Sequence, residues 1–119
     1  MPKRILVIDD EEMITLLYQK ELGREGYEVD AAGNGGEALK MISEKEFDVI
    51  VLDIEMPDIF GLDILQEIRK CAPGSAIILN SAYATYKADF QSWLADDYLV
   101  KSSDLRQLKD RIKHLTGVK

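Results

Sequence analysis

Residues 47–58 read Phe47-Asp48-Val49-Ile50-Val51-Leu52-Asp53-Ile54-Glu55-Met56-Pro57-Asp58, a near-continuous apolar run that stops at an acid and is followed by a proline. The lack of alternation from Val49 to Leu52 predicts a central strand of a parallel sheet, covered on both faces by helices. Asp53 then falls at the carboxyl end of the strand, where open α/β sheets bind their ligands. Pro57 has no N–H for a ladder and disfavours helix at Met56, so the chain is expected to leave the sheet in a loop there. A single acid at a strand end is equally well a cap, and Asp53 needs partners from elsewhere to count as a site.

The same alternation extends on both sides of this stretch. Arg4-Ile5-Leu6-Val7-Ile8-Asp9 is a second apolar run ending in acids. Ile14, Leu17, Tyr18 and Leu22 follow at helical spacing, with Glu11 and Glu12 in the first turn and Gly26 as the stop. Residues 27–31 alternate and are half polar, as an edge strand should be. Ala38, Leu39 and Ile42 mark a helix within 34–45, and Leu65 and Ile68 mark another over 61–69, ended by Cys71-Ala72-Pro73-Gly74. Residues 76–81 form the fourth strand, 85–94 a less regular fourth helix and 97–101 the fifth strand. Leu105, Leu108, Ile112 and Leu115 form the stripe of the last helix, with Ser102 or Ser103 as its N-cap. Five strand–helix units predict one α/β domain over residues 1–119. It is a (βα)5 doubly wound parallel sheet, with right-handed crossovers and helices on both faces.

Composition excludes several classes. The 119 residues suit one domain. Charged residues are 31% and hydrophobic residues 46%, with no apolar run of membrane length, so a soluble cytoplasmic chain without a membrane role is expected. The one cysteine, Cys71, cannot make an internal disulfide and is read as a half-buried helix residue. A net charge of −7 argues against phosphate-backbone binding, so no direct nucleic-acid binding by this domain is expected. His114 is the sole histidine and sits where a helix dipole favours it, which argues against a histidine triad or zinc site.

The strand ends carry Asp9 and Asp10, then Asp53, Ser81 and Lys101, all on one rim. In a flavodoxin-like order 2-1-3-4-5 the first and third strands are neighbours, so three carboxylates converge. Like charges that close require a cation, and an open oxygen site with few protein ligands suits Mg²⁺. With Lys101 and the Ser81 hydroxyl opposite, such a carboxylate is suited to accept a phosphoryl group. Each residue alone has an ordinary reading as a cap, turn or solvated strand end. Together they point to a site.

These residues resemble the receiver domain of two-component response regulators. The resemblance is carried by Asp9-Asp10 after Ile-Leu-Val-Ile, by Asp53-Ile-Glu-Met-Pro-Asp with Gly61-Leu-Asp-Ile-Leu, by Ser81-Ala82 and by Tyr98-Leu-Val-Lys101. It implies that Asp53 is the phosphoacceptor. It also implies that Asp10, Asp53 and the backbone carbonyl of Glu55 hold Mg²⁺, with Asp9 acting mainly through water. Ser81 and Lys101 would grip the phosphoryl oxygens. Tyr98 would swing inward as Ser81 moves, changing the face made by the fourth helix, fifth strand and fifth helix. The implied donor is a histidine kinase or histidine phosphotransfer protein. The implied target is a downstream protein or an attached or missing output domain, and output is expected to be by binding, since no DNA-binding element follows Val118-Lys119. Such a domain is no separate enzyme, although it assists its own aspartyl phosphorylation and dephosphorylation. Ser102 departs from the family's usual proline after the lysine, and Leu94 from a common glycine. Tyr86, Phe90 and Trp93 share a helical face that is either core or partner surface. Tyr83 is placed to shield an acyl phosphate.

One competing reading comes from another class. Gly33-Asn34-Gly35-Gly36-Glu37-Ala38 matches a dinucleotide fingerprint, with Asp53 twenty residues after the first glycine. Against it, the preceding strand is polar and placed second, and the chain has no room for a second mononucleotide half. An aspartyl hydrolase would want an Asp where Glu55 stands.

Overall fold

The central strands have interiors that exclude water on both sides, and this sets the architecture. In a computed structural model, which describes residues 2–54, 61–82, 95–102 and 104–117, the strands are β1 (Arg4–Ile8), β2 (Glu28–Ala32), β3 (Val49–Asp53), β4 (Ala76–Ser81) and β5 (Asp97–Val100). They form one parallel sheet in the order β2-β1-β3-β4-β5. Every residue of β3 is buried, as a central strand with apolar side chains in both directions requires. The half-polar segment is the edge strand, as expected, beginning one residue later than the alternation suggests.

The described helices are α1 (Glu12–Arg24), α2 (Gly35–Glu44), α3 (Gly61–Cys71) and α4 (Arg106–Thr116). The expected helix at 85–94, with Tyr86, Phe90 and Trp93, lies outside the described residues. Strand alternation divides the core in two. Ile5, Val7, Val49, Val51 and Ile78 pack with Tyr18 and Leu22 of α1 and Leu108 and Ile112 of α4. Leu6, Ile8, Ile50, Leu52, Ile77 and Leu79 pack on the other face with Ala38 and Ile42 of α2 and Ile64, Leu65 and Ile68 of α3. The doubly wound fold with helices on both faces is therefore present.

Local chemistry explains the helix ends. The Asn34 side chain caps α2 by accepting the Glu37 N–H at 2.8 Å. Gly26, at φ 94°, follows the C-cap of α1 in the left-handed region, where a Cβ would be strained.

Three expectations need correction. Leu17 does not face the core: the buried residues of α1 are Thr15, Tyr18 and Leu22, while Met13, Leu16 and Leu17 are 79%, 54% and 39% exposed. The sheet covers only a narrow stripe of α1, and Leu17 lies about 100° around the helix from Tyr18. Ser102 is not the N-cap of α4. Its Oγ accepts the Asp104 N–H, and the Asp104 carboxylate in turn accepts the Arg106 N–H; Ser103 lies outside the described residues. Cys71 is exposed rather than half-buried, because α3 runs past the core to end there.

Candidate functional site

The acidic site is assembled by strand ends with the same phase. Val7, Val51, Ile78 and Leu99 point to the α1/α4 face. Two residues further along, Asp9, Asp53, Asn80 and Lys101 therefore turn to that face as well. The ladders carry on to hold this rim: the Asp9 N–H donates to the Ala32 carbonyl at 3.0 Å, and the Lys101 N–H to the Ser81 carbonyl at 2.6 Å.

Asp9 and Asp53 are 2% and 3% exposed, while Asp10 is exposed at the mouth. Oxygens of all three carboxylates lie within 4.8 Å of one another. Lys101 Nζ sits 2.9 Å from Asp9 and 3.2 Å from Asp53, bridging the first and third strands from beyond the fourth. The Glu11 N–H donates to Asp9 Oδ1 at 2.9 Å and fixes that carboxylate. Burial alone would lower the Lys101 pKa. The hydrogen bond to Asp9 and the Asp53 charge outweigh it and hold the ammonium above its ordinary value.

Three carboxylates against one ammonium leave two negative charges, the charge of one divalent cation. Octahedral Mg²⁺ at about 2.1 Å from each ligand spaces its oxygens about 3 to 4 Å apart, so the cluster fits with a small contraction or a bridging water. Asp9, Asp10 and Asp53 could thus hold a metal. Glu55, expected to add its carbonyl, lies outside the described residues, as does Tyr83.

Ser81 is fully buried, and Tyr98 is 4% exposed. They fall in phase on the opposite face, where Tyr98 pairs in register with Leu79 and Ser81 with Val100. No cis peptide occurs among the described residues, the Lys101–Ser102 bond included. Sequence reasoning missed one pair of residues. Asn80 Nδ2 donates to the Tyr18 hydroxyl at 2.8 Å in a buried bond directly beneath the acids. Burial pushes the Tyr18 hydroxyl up, against the lowering effect of Asn80 and Lys101. The available signal was an amide in phase with Ile78, at the end of the apolar run 76–79.

Comparison with known proteins settles the family. The model of the response regulator receiver domain matches residues 5–113. The chain belongs to that family. This receiver domain is 36% identical to the alkaline phosphatase synthesis transcriptional regulatory protein PhoP of Bacillus subtilis, over 95% of its own length and 48% of that protein's. It spans about half the length of the curated relatives it matches. Among solved structures it is similar to the Thermotoga maritima response regulator TrrA in complex with Mg(2+)-BeF, with a TM-score of 0.89, 50% identity and coverage of 95% and 98% of the two chains. TrrA in complex with the histidine kinase ThkA gives a TM-score of 0.86 at 50% identity, over 95% and 97% of the chains. The receiver domain is a signalling module rather than an enzyme in the ordinary sense.

The dinucleotide reading falls. The helix that follows the glycines starts from the edge strand, its Glu37 amide is taken by Asn34, and Gly33, Gly35 and Gly36 all have non-positive φ. Asp53 belongs instead to the acid cluster with Lys101. Among the described residues, no helix is long and apolar enough to cross a membrane.

Proposed function

We propose that this receiver domain takes a phosphoryl group onto Asp53 from the phosphohistidine of a histidine kinase or histidine phosphotransfer protein. The observation that carries the reading is a buried carboxylate with an ammonium 3.2 Å away, within an acid cluster two positive charges short of neutrality. An Asp53 oxygen attacks phosphorus as the P–N bond to the imidazole breaks, and the departing nitrogen keeps the electron pair. With the other ring nitrogen of the phosphohistidine already protonated, an acyl phosphate and neutral histidine result. Lys101 moves with the transferring group and donates to its oxygens, with the Ser81 hydroxyl as second donor. Asp9 and Asp10, with Asp53, would hold Mg²⁺, which when bound neutralises charge on the phosphoryl oxygens. In this way the domain assists its own phosphorylation and dephosphorylation. Drawing Ser81 to the phosphoryl group is the event that repositions Tyr98 and the β5/α4 surface for a downstream protein or attached output domain. Met13, Leu16 and Leu17 form an exposed apolar strip on α1, which begins two residues after Asp10, and such a strip suits a protein partner. Likeness to TrrA, which has been solved both with Mg(2+)-BeF and with the histidine kinase ThkA, supports this assignment. A single domain over 1–119 in the cytoplasm completes the proposal. The test is Mg²⁺-dependent labelling by acetyl phosphate: Asp53→Asn abolishes it, and full labelling of that variant refutes the assignment.

A further inference from the structure

We infer that Tyr18 is a positioning residue for Asp53, acting by holding the side-chain amide of Asn80 away from the acceptor carboxylate. Asn80 is the register partner of Asp53 on the neighbouring strand. It turns to the same face, and neighbouring strands run about 4.8 Å apart, so its carboxamide is within reach of the Asp53 oxygens. Asn80 Nδ2 nevertheless donates to the Tyr18 hydroxyl at 2.8 Å, across 62 residues of sequence. Tyr18 and Asn80 are each 3% exposed, so no bulk water competes for that donor. An amide N–H enclosed in this way must have an acceptor. The Tyr18 hydroxyl supplies one below the site and draws that donor away from the Asp53 carboxylate.

Tyr18→Phe strands the amide next to a carboxylate. Rotation of the Asn80 side chain then gives Asp53 a hydrogen bond that opposes both cation binding and nucleophilic attack. The inference rests on Asp53 being the acceptor, and the experiment separates the two. Labelling by acetyl phosphate with Mg²⁺ is followed by intact mass in the unsubstituted chain, Tyr18→Phe and Tyr18→Phe/Asn80→Ala, with melting curves run in parallel. Tyr18→Phe is expected to label about tenfold more slowly, the effect of one hydrogen bond to a charged group. The added Asn80→Ala is expected to restore most of that loss, although it removes further packing and lowers the melting temperature. A merely structural pair cannot produce that recovery. Equal rates for Tyr18→Phe and the unsubstituted chain overturn the inference, and so does a double variant as slow as the single one. If Tyr18→Phe does not fold, Tyr18→Leu and Tyr18→Leu/Asn80→Ala take its place: slow labelling that the second change restores supports the inference, and equal labelling of the two overturns it. An unsubstituted chain that takes no label overturns the reading of Asp53 itself, before the pair is altered.

Discussion

The two rims of the sheet treat charge in opposite ways. At the amino rim, Arg4 meets Glu28 at 3.1 Å with side chains 39% and 55% exposed, and the Asp48 carboxylate accepts the Arg4 N–H at 2.8 Å. Each charge there has a partner and water. At the carboxyl rim, Lys101 is shared by Asp9 and Asp53, with the lysine side chain 15% exposed and the two acids 2% and 3%. Charges in solvent are cheap to place and contribute little, whereas an unbalanced buried set costs stability unless something completes it. That cost marks the carboxyl rim as the place where a cation would complete the set.

The largest expected difference is between Lys101→Met and Arg4→Met. Removing the buried ammonium leaves Asp9 and Asp53 facing one another, and urea unfolding without divalent cation should show a loss of about 3 kcal/mol. At the amino rim the loss should stay under about 1 kcal/mol. Equal losses would erase the contrast. Next in size, Mg²⁺ should stabilise the chain by about 2 to 3 kcal/mol at a hundredfold excess over its dissociation constant. Chelation should reverse the effect and Asp10→Asn should remove most of it, as thermal melts with and without chelator would show.

The pH dependence sharpens the contrast further. Because the folded-state pKa of Lys101 lies above its ordinary 10.5, the stability it contributes is fully present below that value and is lost as pH rises through the higher folded-state pKa. The gap between the unsubstituted chain and Lys101→Met should therefore be flat through neutral pH and close only in strong alkali. The smallest effect belongs to Asp104, whose hydrogen bonds from Arg106 pull its carboxyl down to about 2. Its contribution is present above 3.8 and lost as pH falls through about 2, and its exposure to solvent keeps it small. Asp104→Asn should lower stability slightly and evenly above pH 3.8, with the gap to the unsubstituted chain closing as pH falls through about 2.

Much of this site is legible in order along the chain. Asp9, Asp10, Asp53, Ser81 and Lys101 each follow an apolar strand, and a parallel sheet brings such ends to one edge. The misreadings share a cause. Spacing or residue type is all that a sequence offers at Leu17, Cys71 and Ser102, but their environment depends on how much of a helix the sheet covers and where the backbone enters the next turn. Tyr18 falls on the buried stripe of α1 as its spacing predicts, yet its bond to Asn80 joins residues that no local pattern connects.

The sequence by itself determined the alternation of strands and helices, the two-faced burial of the central strands and the residues delivered to the carboxyl rim. Those follow from side-chain polarity at periods of 2 and 3.6, a local property of the chain. Only the tertiary structure decided that Lys101 spans two acids and that Asn80 is Asp53's neighbour with its amide held by Tyr18. Strand order and register set those distances, and both arise from packing segments far apart in sequence.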